Sequence, residues 1–188
     1  MILDMQPLEN PGVSTVRITP TADLRPDERT AVRALLDLAF DGHFDDHDWE
    51  HALGGLHLIV TRDGAPVAHG AVVQRRFLHD GRSWRCGYVE AVAVHPRWRG
   101  QGLATAVMTE AERLIDGGYD FGALSASDDG RGLYLARGWL PWKGPTAVLA
   151  PGGVTRTPDD DDSTLVRPAP GLVLTGTLTC DWREGDVW

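Results

Sequence analysis

The 188-residue chain predicts a mixed α/β fold of the α+β kind, with a mostly antiparallel central sheet flanked by helices. Three observations predict it. Apolar runs over 57–94 are broken by Asp63-Gly64 and Asp80-Gly81, the turn signals of an antiparallel meander. Residues 88–104 then read as a strand, a tight loop rich in Arg and Gly, and the start of a helix. A further strand and short helix follow over 121–137, so the sheet begins as hairpins and ends with helical crossovers.

Residues 1–12 hold turn-formers without periodicity and predict a loose tail; 13–188 read as one domain. Residues 14–19 alternate enough for a short strand. Over 26–41, Val32, Leu35, Leu36 and Ala39 fall at helical spacing, with Pro26 tolerated in the first turn. Asp46 or Asp48 offers an N-cap for a short helix through Ala52, which Gly54-Gly55 would end. Strands are expected over 57–61, 67–77 and 83–94. In the last, Cys86, Tyr88, Glu90, Val92 and Val94 share one face, and Val89, Ala91 and Ala93 the other. Pro96 ends that strand, and 100–116 form a helix with Ala104, Val107, Ala111 and Leu114 as its apolar stripe, stopped by Gly117-Gly118. A strand over 121–125, a short helix over 131–137, and β-prone runs over 147–149 and 172–178 complete the pattern.

Composition bounds the function. Hydrophobic residues make up 42% and charged residues 24% of the chain, as in ordinary globular proteins. The formal net charge of −9 argues against nucleic acid and suits a cationic partner. No apolar run is long enough to span a membrane, and the first residues lack a basic start and apolar core, so a cytoplasmic location is expected. Cys86 and Cys180 make no disulfide framework, and no Cys/His spacing resembles a metal site.

The stretch 88–104 carries the chemistry. Glu90 is a carboxylate among apolar strand neighbours, costly if buried without a partner. It is either a functional group or the partner of an Arg such as Arg75 or Arg76. The loop Arg97-Trp98-Arg99-Gly100-Gln101-Gly102 presents backbone N–H groups at a helix start, where an anion such as a phosphate is favoured. Acidic stretches at 41–49 and 158–162 are either solvated loops or carboxylates for a cationic ligand. Cys86 on the face of Glu90 reads as a small buried side chain rather than a nucleophile.

Arg97, Gly100 and Gly102 match the acetyl-CoA pyrophosphate pattern of the GCN5-related N-acetyltransferases (GNAT), and Leu133-Tyr134-Leu135-Ala136-Arg137-Gly138 resembles the second signature of that superfamily. Residues 88–103, 138–141, Pro158-Asp159-Asp160-Asp161 and the final Cys180-Asp181-Trp182-Arg183 with Gly185-Asp186-Val187-Trp188 resemble more narrowly the aminoglycoside 2′-N-acetyltransferases of mycobacteria and related actinobacteria. The resemblance runs from about Thr21 to the last residue. It implies the GNAT fold and acetyl transfer from acetyl-CoA to a cationic aminoglycoside in a ternary complex, without a metal. Implied roles are Glu90 as base and Tyr134 as acid. The strand at Val92 and Val94 and the loop residues Arg97, Arg99, Gly100, Gln101, Gly102, Leu103 and Ala104 are implied to hold the cofactor. Asp48, Glu90, Ser125, Asp160, Asp186 and the terminal carboxylate of Trp188 are implied to hold the amine. A homodimer is implied as well. The chain departs from this family at His43, where the family has Asp; a protonated His there would repel a polyamine.

Overall fold

The computed structural model describes residues 15–188. The tail expected over 1–12 lies outside them, as does Ser14, the first residue of the expected opening strand. In chain order the elements are β1 (Arg17–Pro20), α1 (Pro26–Ala39), α2 (Asp46–Ala52), β2 (Leu56–Arg62), β3 (Ala65–His79), β4 (Arg82–Val94), α3 (Leu103–Gly118), β5 (Phe121–Ser125), α4 (Asp128–Ala136), β6 (Leu140–Pro141), β7 (Thr146–Ala150), β8 (Gly153–Arg156), β9 (Thr164–Arg167) and β10 (Leu178–Asp181).

The sheet runs β6-β9-β5-β4-β3-β10-β7-β8, with β2 also on β3 and β1 on β2. The long β3 serves two partners in succession: Ala65 to Val72 pair with β2, and Phe77 and Leu78 pair with β10. The meander is antiparallel as expected, with Asp63-Gly64 and Asp80-Gly81 in left-handed backbone at its two turns. The β4–β5 pair is parallel and covers only Cys86 to Tyr88 against Phe121 to Ala123.

Several expected boundaries move for identifiable reasons. Asp45, rather than Asp46 or Asp48, caps α2: its Oδ1 accepts from Asp48 N at 3.0 Å, and Asp48 Oδ2 accepts from Asp45 N at 2.9 Å. This is a reciprocal capping box. Helix α3 begins at Leu103 because Gly102, its N-cap, sits at φ 77, a left-handed conformation that glycine adopts without steric cost. Gly117 and Gly118 lie inside its last turn instead of ending it. Helix α4 starts at Asp128, one turn earlier than expected, because Ser127 Oγ accepts from Gly130 N at 3.3 Å. The run over 172–178 is not a strand until its last residue, since β10 covers Leu178–Asp181. Strands β8 and β9 were not visible as periodic runs; their four-residue segments are too short to show alternation.

The expected faces of β4 hold only to Glu90. His69 pairs with Ala93 and Ala71 with Glu90, so two steps on β3 answer three on β4. This bulge lies at Ala91, whose φ is 50. An extra residue in a strand reverses which side chains point to each face. Val92 and Val94 therefore join Val89 in the core under α3, with Val107, Met108 and Ala111. Cys86 and Tyr88 belong to a second cluster with Phe77 and Trp188, and Ala91 and Ala93 to a third with Val32 and Leu36 of α1. The expectation that Val92 and Val94 share the face of Glu90 is thus corrected. Gly70, opposite the bulge, lets α3 close in: a Cβ there would stand 2.7 Å from Val107 Cγ1.

Candidate active site

Strands β4 and β5 pair no further than Tyr88 and Ala123, and two clefts open where they part. The first, about 280 Å³, is lined by Phe40, His43, Phe44, Asp48, Tyr88, Glu90, Ser125, Asp186 and Trp188 among others. The second, about 560 Å³, is lined by Ala39, Val94, Arg99, Ala104, Gly130 and Leu133 among others. Phe40, Val92, Ser127 and Tyr134 line both, so the clefts meet at these four residues. One cleft is rich in carboxylates and the other abuts the glycine loop. The junction is where a group held in one could pass to a group held in the other.

In the first cleft, Glu90 and Arg183 form a close ion pair, and each side chain is only 14% exposed. The alternative partners Arg75 and Arg76 are not used: Arg75 Nε donates to Asp181 Oδ1 at 2.8 Å, and Arg76 N donates to Asp181 Oδ2 at 3.3 Å. Burial raises the Glu90 pKa above the ordinary carboxylate range, and Arg183 partly offsets this by favouring the charged form. Asp160 does not line the cleft, yet the charge of Asp186 acts on it. Burial first, and Asp186 second, push its pKa up to about 6. A carboxyl raised in this way by burial and a like charge has its charged form favoured by a bound cation. Ser125 Oγ donates to Ser163 Oγ at 2.9 Å at the rim. Trp188 is buried against Phe77, with ring centroids 5.4 Å apart.

Tyr134 is buried, packs edge-on to Trp139 at 6.2 Å, and its pKa is pushed up to about 12 by desolvation. It therefore keeps its proton at neutral pH and can donate it. In the loop, Arg97 N donates to His95 Nδ1 at 3.1 Å within a short 3₁₀ turn. Arg99 donates to the carbonyls of Val94 at 3.3 Å and Ala39 at 3.0 Å, tying the loop to the end of α1. Gly100 has φ 75, and no atom lies within 4 Å of where a Cβ would stand on it or on Gly102. The outer face of the loop is thus open backbone beside the start of α3, which fits an anion. Gln101 and Ala104 flank this face, whereas the Leu103 side chain is buried in the core, leaving only its backbone to a ligand. Cys86 is fully buried, lines neither cleft, and its thiol is pushed well above its ordinary range by burial.

Sequence reasoning assigned no role to Phe40, Phe44, Tyr88, Ser127 or Arg183. The first two lie just beyond the end of α1 at Ala39, outside its apolar stripe, and Arg183 stands in the terminal string with no local signal of its own. His43 lines the first cleft, so the one departure from the resembled family falls in the site itself.

Residues 23–138 match the model of the Acetyltransferase (GNAT) family, and the chain belongs to that family. It is 54% identical over 187 residues, 97% of its own length and 96% of the relative's, to an aminoglycoside 2′-N-acetyltransferase of Mycolicibacterium fortuitum. Among solved structures it resembles the GNAT N-acetyltransferase YhbS of Escherichia coli in complex with CoA, with a TM-score of 0.61, 22% identity and 88% of each chain covered. It also resembles Escherichia coli ElaA, with a TM-score of 0.56, 15% identity, and 83% of this chain and 100% of that one covered. These two likenesses concern the fold.

Proposed function

We propose that the protein is an acetyl-CoA-dependent N-acetyltransferase that acetylates the 2′-amino group of aminoglycosides by direct transfer in a ternary complex, and so confers resistance to them. The observation that carries this reading is the junction of the clefts. A carboxylate-lined cleft holding Asp48, Glu90 and Asp186 meets a cleft beside an open glycine loop at Val92 and Tyr134. The 54% identity to an aminoglycoside 2′-N-acetyltransferase supports the substrate class.

Acetyl-CoA supplies an activated acetyl group. The backbone of Gly100, Gln101, Gly102, Leu103 and Ala104 holds its pyrophosphate, with Arg97 and Arg99 beside it, and the β4 edge at Val92 and Val94 lies along its arm. In the other cleft Asp48, Ser125, Asp186 and Trp188, with Asp160 outside its lining, accept hydrogen bonds from the ammonium and hydroxyl groups of the substrate. An ammonium has no lone pair for attack, so Glu90 takes one proton, directly or through a water. Backbone N–H groups near Val92 polarise the acetyl carbonyl as negative charge builds on its oxygen. Tyr134 gives its proton to the departing thiolate sulfur.

Free thiol release, measured with acetyl-CoA and a panel of aminoglycosides and simple amines, tests the reading. Turnover on compounds with a free 2′-amine is expected. Turnover restricted to other amines would favour a second reading, a GNAT enzyme for another cellular amine, which His43 in the cleft favours. Cofactor binding without any turnover would indicate a binding protein.

A cytoplasmic location is in keeping with the composition; no described helix is long and apolar enough to cross a membrane. A homodimer is supported by the exposed cross-strand pair Leu149 and Val154 on the edge hairpin β7–β8. Sedimentation of the protein tests it.

A further inference from the structure

Arg183 is a largely buried cation paired with Glu90 beside the cleft read here as the amine site, where a cationic substrate must bind. One guanidinium makes three separate contacts. Nη1 pairs with Glu90 Oε1, Nη2 donates to Trp188 O at 2.8 Å, and Nε donates to Asp186 O at 2.9 Å. Its carbon lies 5.4 Å from the centroid of the Tyr88 ring. The segment it grips is closed on itself and on α2. Trp188 N donates to Asp186 Oδ1 at 3.3 Å, and His51 Nε2 meets Glu184 O at 2.7 Å. Only the planar fork of an arginine offers donors in three directions from one fixed group.

We propose that Arg183 is a positioning residue that couples Glu90 on β4 to the segment bearing Asp186 and Trp188, so that one guanidinium sets the spacing between the proton-accepting carboxylate and the groups that hold the amine. The proposal rests on the reading of this cleft as the amine site. Around Glu90, Arg183 and more distant Arg75 favour the carboxylate; burial and Asp48 oppose it. Arg183 thus also favours the ionised base, and its other two donors go to the backbone carbonyl of Asp186 and to Trp188 O, an oxygen of the carboxylate read here as an amine ligand, so that one group orients both.

The experiment uses the full chain with Arg183→Gln and Arg183→Lys. Titration of the Glu90 carboxyl carbon by NMR in the unliganded protein, assigned by its loss in Glu90→Gln, reads the coupling without any turnover. In Arg183→Gln the midpoint is expected to rise by about one to three pH units, as on losing an opposite charge within contact distance. In transfer assays the acidic limb of kcat/KM should move up with it, and KM for the amine should rise while KM for acetyl-CoA stays. Arg183→Lys keeps the charge but not the fork, so its midpoint should stay near that of the parent while KM for the amine still rises. A Glu90 midpoint unmoved in folded Arg183→Gln overturns the proposal, as does a uniform loss of rate at all pH. If Arg183→Gln does not fold, an unchanged amine KM in Arg183→Lys overturns it instead. Absence of turnover on any amine by the parent protein would reject the functional reading alone, and the NMR midpoint would still decide the coupling.

Discussion

Glu90 sits in the middle of β4 with its carboxylate 14% exposed and against a guanidinium. Its chemistry follows from that balance. Burial raises its pKa and Arg183 lowers it, with burial the larger effect, so the acidic limb of kcat/KM is expected above the ordinary Glu value of 4.5. Glu90→Gln should lower kcat/KM by about 10²–10⁴-fold above that limb, and the difference should vanish below it, where the parent carboxyl is already protonated. A pH–rate profile of both proteins reads this directly. Asp160 offers a second test of opposite sense. Its pKa is raised from 3.8 to about 6, so the folded state gains a proton before the unfolded one does. Its contribution to stability is complete below the unfolded value and is lost as pH rises through about 6. Asp160→Asn should therefore stabilise the unliganded protein at pH above 6, with the gain shrinking toward the ordinary carboxyl value, and should weaken amine binding. Thermal unfolding and amine titration calorimetry across that range test both halves. Of the individual residues, Glu90 was legible because a carboxylate inside an apolar strand is expensive. Arg183 was not, because nothing local to Trp182-Arg183-Glu184 separates a buried cation from a surface one.

Alternation along a strand is reliable until an extra residue enters it. The bulge at Ala91 is invisible in sequence: Ala carries no signal for a left-handed conformation, and yet it adopts φ 50 there. What holds the bulge is a chain of buried polar groups on the neighbouring strands. His69 Nδ1 meets Ala91 O at 2.9 Å, His69 Nε2 meets His57 Nδ1 at 3.0 Å, and His57 Nε2 meets Thr21 Oγ1 at 2.8 Å. Both imidazoles are fully buried, with burial lowering their pKa values to about 4 for His57 and about 3 for His69. Each is therefore neutral, with His69 Nδ1–H donating to Ala91 O and His57 Nδ1–H donating to His69 Nε2. His69→Ala leaves the Ala91 carbonyl without its donor, at a cost of about 1–3 kcal/mol, and frees the bulge that aims Glu90. Urea unfolding should show the loss, and kcat should fall with it. An unchanged kcat would mean that the bulge keeps its shape without the histidine. The meander, by contrast, was fully legible, because each Asp-Gly turn forces a left-handed pair that only a hairpin supplies.

Across the whole molecule, the sheet order brings together residues far apart in the chain. Asp48 comes from α2, Glu90 from β4 and Asp186 from beyond β10; β10 reaches them by inserting between β3 and β7. That insertion was not legible. The final strand is four residues long, and its pairing with β7 is parallel and non-local. The narrower resemblance, rather than any periodicity, joined the acidic residues into one site. The segment after β10 is then both core and cleft, since Trp188 packs on Phe77 and also lines the cavity. Removing Val187 and Trp188 should raise KM for the amine about tenfold or more, the worth of one charged hydrogen bond of roughly 1.5 kcal/mol. KM for acetyl-CoA should stay nearly constant; equal losses for both would make the segment structural only.

The most direct measurement compares two aminoglycosides that differ only in bearing an amine or a hydroxyl at the 2′ position, each with acetyl-CoA and the full chain. Thiol release is expected with the amine alone, with mass spectrometric fragmentation locating one acetyl group on the 2′ nitrogen. Equal release with both compounds, or an acetyl group on any other nitrogen, would contradict the assignment.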